Sequence, residues 1–166
     1  MLTVLAFFAA AASNPGLTKP APPTMPVLAT ADCENAKTRS VRLAALDDDN
    51  SWTGSADRFN ADWKDYLDVR LGKLGMSESD EQAFMAKVAN SDEFGALQSE
   101  NETILARMSA DFEKIGGSAS EEQACKTVAG MLAALTPMMV NASKQYELMD
   151  QAIIAEAKRR GVSLDD

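Results

Sequence analysis

The sequence predicts an all-α protein, a small helical bundle of four to five helices with a long C-terminal helix kinked at Pro137. Three observations carry this. Aromatic residues are only 6% of the chain, and no run alternates apolar with polar as a half-buried strand would. Capping and stop signals are spaced for long helices. From Cys125 to Ile153, apolar residues recur at alternating steps of three and four.

The first helix is expected to start at Asp32, a good N-cap. Cys33, Ala36, Ser40 and Leu43 then share one face, widened by Val41 and Leu46. It stops at Asp47-Asp48-Asp49-Asn50. That run resembles the start of a calcium loop, but in an EF-hand register Trp52 takes the glycine position and Arg58 the twelfth. The loop lacks the two residues that make it work, so the run reads as an acidic turn.

A second helix is expected over 55–74, with Phe59, Trp63, Leu67, Leu71 and Leu74 as its apolar stripe and Gly72 and Gly75 weakening its end. Ser77 and Ser79 offer caps for a short third helix carrying Phe84, Met85 and Val88. Ser91 or Asp92 caps a fourth, which runs to Ile115 and stops at Gly116-Gly117. Phe94, Asn101, Met108 and Ile115 are spaced by seven, with Leu97 and Ile104 between them. Asn101 is the polar member of that seam and is expected to set register through a hydrogen bond in the core.

Ser118 with Glu121, or Ser120 with Gln123, makes a capping box for the last helix. Its seam is Cys125, Val128, Leu132, Leu135, Met139, Ala142, Tyr146, Met149 and Ile153. The register passes straight through Pro137, which favours one helix over two. Lys158, Arg159 and Arg160 suit its C-terminal dipole and Gly161 its C′ position. A helix over 121–160 is about 60 Å long at 1.5 Å per residue. That exceeds the needs of a compact bundle, so its C-terminal half either wraps round the bundle or projects. A projecting half would offer Tyr146, Met149 and Ile153 to a partner.

Three segments organise the chain: a signal peptide over 1–13, a proline-rich spacer over 14–31 and a single helical domain over 32–166. The apolar run over 2–12 has 11 residues, too few for a bilayer span of roughly 20 but enough for a signal h-region. Ala9-Ala10-Ala11 and Ala10-Ala11-Ala12 offer small-x-small cleavage patterns, and Ala29-Thr30-Ala31 offers another further on. No Lys or Arg precedes Lys19, which departs from the usual basic n-region and leaves an ordinary apolar tail as the competing reading. Asp32 beside Cys33 does not fit lipid attachment. Five of the six prolines fall within 15–26, favouring extended chain.

The chain has no histidine, which removes His general bases, His-containing triads and most zinc and haem sites. Its two cysteines, Cys33 and Cys125, form neither a metal knuckle nor a redox pair at this spacing. In an exported protein they are expected to form one disulfide. Nine methionines invite a copper(I) reading, but Met139 and Met149 already belong to the seam, and core filling is the better account. Asn101-Glu102-Thr103 and Asn141-Ala142-Ser143 match the glycosylation sequon inside expected helices and are not credited. Acid pairs such as Asp62 with Asp65 sit on polar faces, away from the dry pocket that a catalytic carboxylate needs.

Residues 47–102 hold 14 acidic and 5 basic side chains, which accounts for the whole net charge of −9. Nucleic acid and anionic membrane surfaces are disfavoured as partners. Solvated helix faces are the bland account of this acidity. The functional account is a partner-binding segment, with Asp47, Asp48, Asp49, Asp57, Asp62, Asp65 and Asp68 facing a basic protein.

The expected function is a non-catalytic protein of the bacterial periplasm, or a secreted one, that binds another protein. Its alternatives are an inhibitor or immunity protein using the acidic segment, and a structural protein that self-associates through the last helix. No enzyme activity, cofactor, metal or membrane span in the mature form is expected.

Overall fold

The computed structural model describes residues 18–48, 51–113 and 120–164. Among them are five α-helices: α1 (Ala36–Asp48), α2 (Ser51–Lys73), α3 (Glu78–Ala89), α4 (Asp92–Glu113) and α5 (Glu121–Arg160). A single 3-10 turn, Thr30–Cys33, precedes α1, and no strand occurs among the described residues. The helical bundle expected from the sequence is what forms. The signal peptide over 1–13, the spacer's first residues and the Gly116-Gly117 stop lie outside the described residues.

The first helix begins later than expected. Asp32 lies in the 3-10 turn and its carboxylate approaches Arg42 at 3.6 Å. Asn35 does the capping instead: its Oδ1 accepts from the backbone N–H groups of Lys37 at 3.0 Å and Thr38 at 3.1 Å. The chain resets between Cys33 and Ala36, so these residues do not share one helical face. Ala36 and Ser40 are exposed, and only Leu43 and Leu46 turn inward.

Helix α2 starts four residues before the expected boundary, and its stripe is buried throughout: Phe59, Trp63, Leu67, Leu71 and Leu74, joined by Tyr66. It closes through Leu74 N–H to Leu71 O at 2.9 Å, and Gly75 then turns the chain at φ 61°, a conformation that costs glycine nothing. Ser77 caps α3, accepting from Asp80 N–H at 3.3 Å. Ser91 caps α4, accepting from Phe94 N–H at 3.4 Å.

Helix α5 is the spine. It runs unbroken through Pro137, as the register required. Proline removes the donor that Ala133 O would receive, at a residue that is exposed. Ser120 and Gln123 form a complete capping box at its start. Gly161 at φ 70° ends it, with Val162 N–H reaching back to Ala157 O at 3.0 Å.

Two apolar clusters lie along this spine. Near its start, Cys125, Ala129 and Leu132 pack with Cys33 and Leu28, flanked by Leu43, Leu46 and Leu135. Near its end, Ile153 and Ala157 pack into the α2 stripe with Tyr146, Met149, Phe84 and Met85 around them. The C-terminal half of α5 therefore does not project with a bare apolar face. Tyr146, Met149 and Ile153 pack against the buried stripe of α2.

The segment expected to be a spacer is partly packed. Met25 and Leu28 are buried, and Lys19 pairs with Glu147 at 3.3 Å while lying 5.6 Å above the Trp63 ring. Residues 18–28 thus lie along α5, linking the ends of the two clusters.

Candidate functional site

Cys33 and Cys125 form the expected disulfide, with Cα atoms 5.6 Å apart, and both are fully buried. It ties the 3-10 turn before α1 to the second turn of α5. Ion pairs ring it. Arg39 donates to Cys33 O at 2.8 Å and pairs with Glu121 at 3.0 Å. Lys126 pairs with Glu122 at 2.7 Å and with Glu34 at 3.8 Å. The Lys126 contact holds the Glu122 carboxyl below its ordinary pKa.

Beside the disulfide, α1 and α5 leave an open groove of about 460 Å³, lined by Leu43, Ala44, Leu46, Asp47, Val128, Met131, Leu132 and Leu135. Leu132 is its buried floor and Val128 its exposed rim. Among the described residues Asp47 is the only charged lining group. The seam on α5 supplied the apolar wall, but sequence reasoning placed Leu43 and Leu135 in the core and did not expect a groove there.

The acidic residues singled out from the sequence do not converge on one site. Asp47, at the end of α1, is exposed. Asp57, Asp62 and Asp65 are exposed on α2, whose buried stripe faces the other way. Asp68 is half-buried and accepts from Lys64 at 2.8 Å. The Asp48 side chain and Asp49 lie outside the described residues. Asp68 also approaches α3: burial, helped by the charges of Asp68 and Glu78, raises the Glu81 carboxyl. Among the described residues no group of three or more acidic or cysteine side chains is placed to hold a metal ion.

A second polar feature was missed in the sequence. Arg70 and Asp150 meet at 2.9 Å between α2 and α5, with Asp150 buried. Their geometry makes a close ion pair rather than an aligned hydrogen bond. Tyr66 lies beside them: burial first, then the Asp150 charge, pushes its phenol above the ordinary value. Arg70 falls within the α2 stripe and Asp150 within the α5 seam. A charged residue on each of two facing apolar stripes was the signal that could have revealed the pair.

Asn101 makes the expected hydrogen bond, but at a half-buried position rather than in a core. It accepts from Asn141 Nδ2 at 3.1 Å, across the α4–α5 interface. No α4 residue is buried, however, and Leu105 and Phe112 remain about half exposed.

Fold and site together define a small disulfide-linked helical bundle built on one 40-residue helix, with an apolar groove beside its cross-link. No helix among the described residues is long and apolar enough to cross a membrane. The chain matches no protein-family model, no curated protein and no solved structure.

Proposed function

We propose that this is a non-catalytic helical protein of an oxidising compartment, the bacterial periplasm or the exterior, that works by binding another protein. The observation that carries the binding part is the open groove between α1 and α5, whose lining is apolar except for Asp47. Grooves of this make receive amphipathic segments of partner proteins. The Cys33–Cys125 disulfide supports the compartment, since such bonds persist where thiols are oxidised. The inhibitor reading draws on exposed Asp57, Asp62 and Asp65 but has no single converged surface behind it. Self-association through Tyr146, Met149 and Ile153 loses its surface, because α2 covers these residues.

Two measurements test the proposal. Cell fractionation with thiol titration under denaturing conditions should find the protein outside the cytosol with no free thiol. Cytosolic protein with two titratable thiols sinks the compartment. A photo-crosslinking residue, placed in turn at exposed positions over the whole surface, should give a position-dependent adduct with a different protein. No adduct from any position sinks the binding function.

A further inference from the structure

We infer that the α1–α5 groove receives an amphipathic helix of a partner protein that carries lysine or arginine at the end nearest Asp47. This rests on the protein-binding reading and specifies the partner's chemistry.

Groove length sets the size of the occupant. Its α5 wall runs from Val128 to Leu135, a rise of about 10 Å, or two helical turns. An occupant helix therefore buries two or three apolar side chains at i, i+3 or i+4, and i+7. The side chains of Leu43, Leu46, Val128, Met131, Leu132 and Leu135 offer carbon and sulfur contacts along the groove.

Charge sets the orientation. Asp47 is exposed and forms no ion pair with a described residue. It lies in the last turn of α1, where the helix dipole is negative and no basic residue offsets it. The two cations that precede it most closely in the chain are already engaged, Arg42 with Asp32 and Arg39 with Glu121. One end of the groove is thus negative and uncompensated, and a cation on the occupant complements it. A second copy of this chain fits poorly. It brings a net charge of −9, not a cation-rich surface, to the Asp47 end.

The test uses the full disulfide-bonded chain and two synthetic peptides of about four helical turns. They share one leucine face and differ only in lysines or glutamates at one end. Fluorescence anisotropy at low salt should show the lysine peptide binding about tenfold tighter, with the gap closing as salt is raised. Val128→Lys, at an exposed rim position, should abolish binding while circular dichroism stays unchanged. Asp47→Lys should remove or reverse the preference for the lysine peptide. Equal binding of both peptides overturns the charge assignment. Binding untouched by Val128→Lys, or a groove filled by a second copy in sedimentation, overturns the groove assignment. Crosslinks to a partner that map only outside the groove overturn this inference and leave the protein-binding function standing.

Discussion

The two halves of α5 are held by different physics. The C-terminal half lies in an aromatic core. Trp63 stacks on Tyr146 with ring centroids 5.4 Å apart, and Phe59 and Tyr66 meet Trp63 edge-on at 6.5 and 5.4 Å. Each large apolar side chain there contributes about 1.5–3 kcal/mol by leaving water. Around the N-terminal half the buried set is Leu28, Cys33, Cys125, Ala129 and Leu132, mostly small. So little apolar volume holds a helix weakly, and the covalent bond makes up the difference. The lesson is one of substitution: where the side chains are too small to hold α1 on α5, the disulfide limits the freedom of the unfolded chain instead.

Removing the disulfide is the largest test of this contrast. In the chain-entropy model, closing a loop of this length contributes about 4–5 kcal/mol. Cys33→Ala with Cys125→Ala should lower stability by about that amount in urea unfolding, reduced by whatever structure the unfolded chain retains. The location of the loss is the sharper readout. Hydrogen exchange should accelerate in α1 and the first turns of α5 and much less in α2 and the last turns of α5. Equal acceleration along all of α5 breaks the two-region account.

The aromatic half has its own weak point in Arg70 and Asp150. Asp150→Ala leaves a buried guanidinium without its partner and should cost about 3–5 kcal/mol. Replacing both residues by apolar ones of similar size, Arg70→Met with Asp150→Leu, should recover most of that loss. Chemical denaturation of the three variants gives the cycle. A double variant as unstable as Asp150→Ala shows that the pair makes specific contacts the apolar residues cannot replace.

How far the sequence revealed this arrangement differs between the halves. Periodicity made the aromatic half legible: Phe59, Trp63, Leu67, Leu71 and Leu74 are all buried as the stripe required. Periodicity also carried α5 through Pro137, because a new helix had no reason to keep the old register. The N-terminal half was legible mainly through its cysteines, since small residues produce little pattern. Asn35 was overlooked as the cap because Asp32, three residues earlier, carries the same chemistry. Met25 and Leu28 were hidden by the prolines around them: proline marks extended chain but does not say whether that chain packs. The groove was illegible in principle. Whether Leu43 and Leu135 touch or stand apart depends on how closely two helices approach, which no single helix's pattern encodes.

The smallest effect distinguishes the two ends of α5 by their charges. Glu122 lies in the first turn, where the helix dipole favours a carboxylate, and Glu156 in the last turns, where it opposes one. Dipole alone therefore predicts the lower pKa for Glu122. The side-chain partners predict the reverse. Glu122 has one lysine, whereas hydrogen bonds from Arg159 and Arg160 lower Glu156 from 4.5 to about 2. Because the folded value is depressed, the contribution of Glu156 is complete above its ordinary pKa and is lost as pH falls through about 2. Carboxyl-carbon NMR titration should place the Glu156 midpoint below that of Glu122, and Glu156→Gln should flatten the acid limb of stability in that window. A Glu156 midpoint above that of Glu122 means the dipole outweighs the arginines.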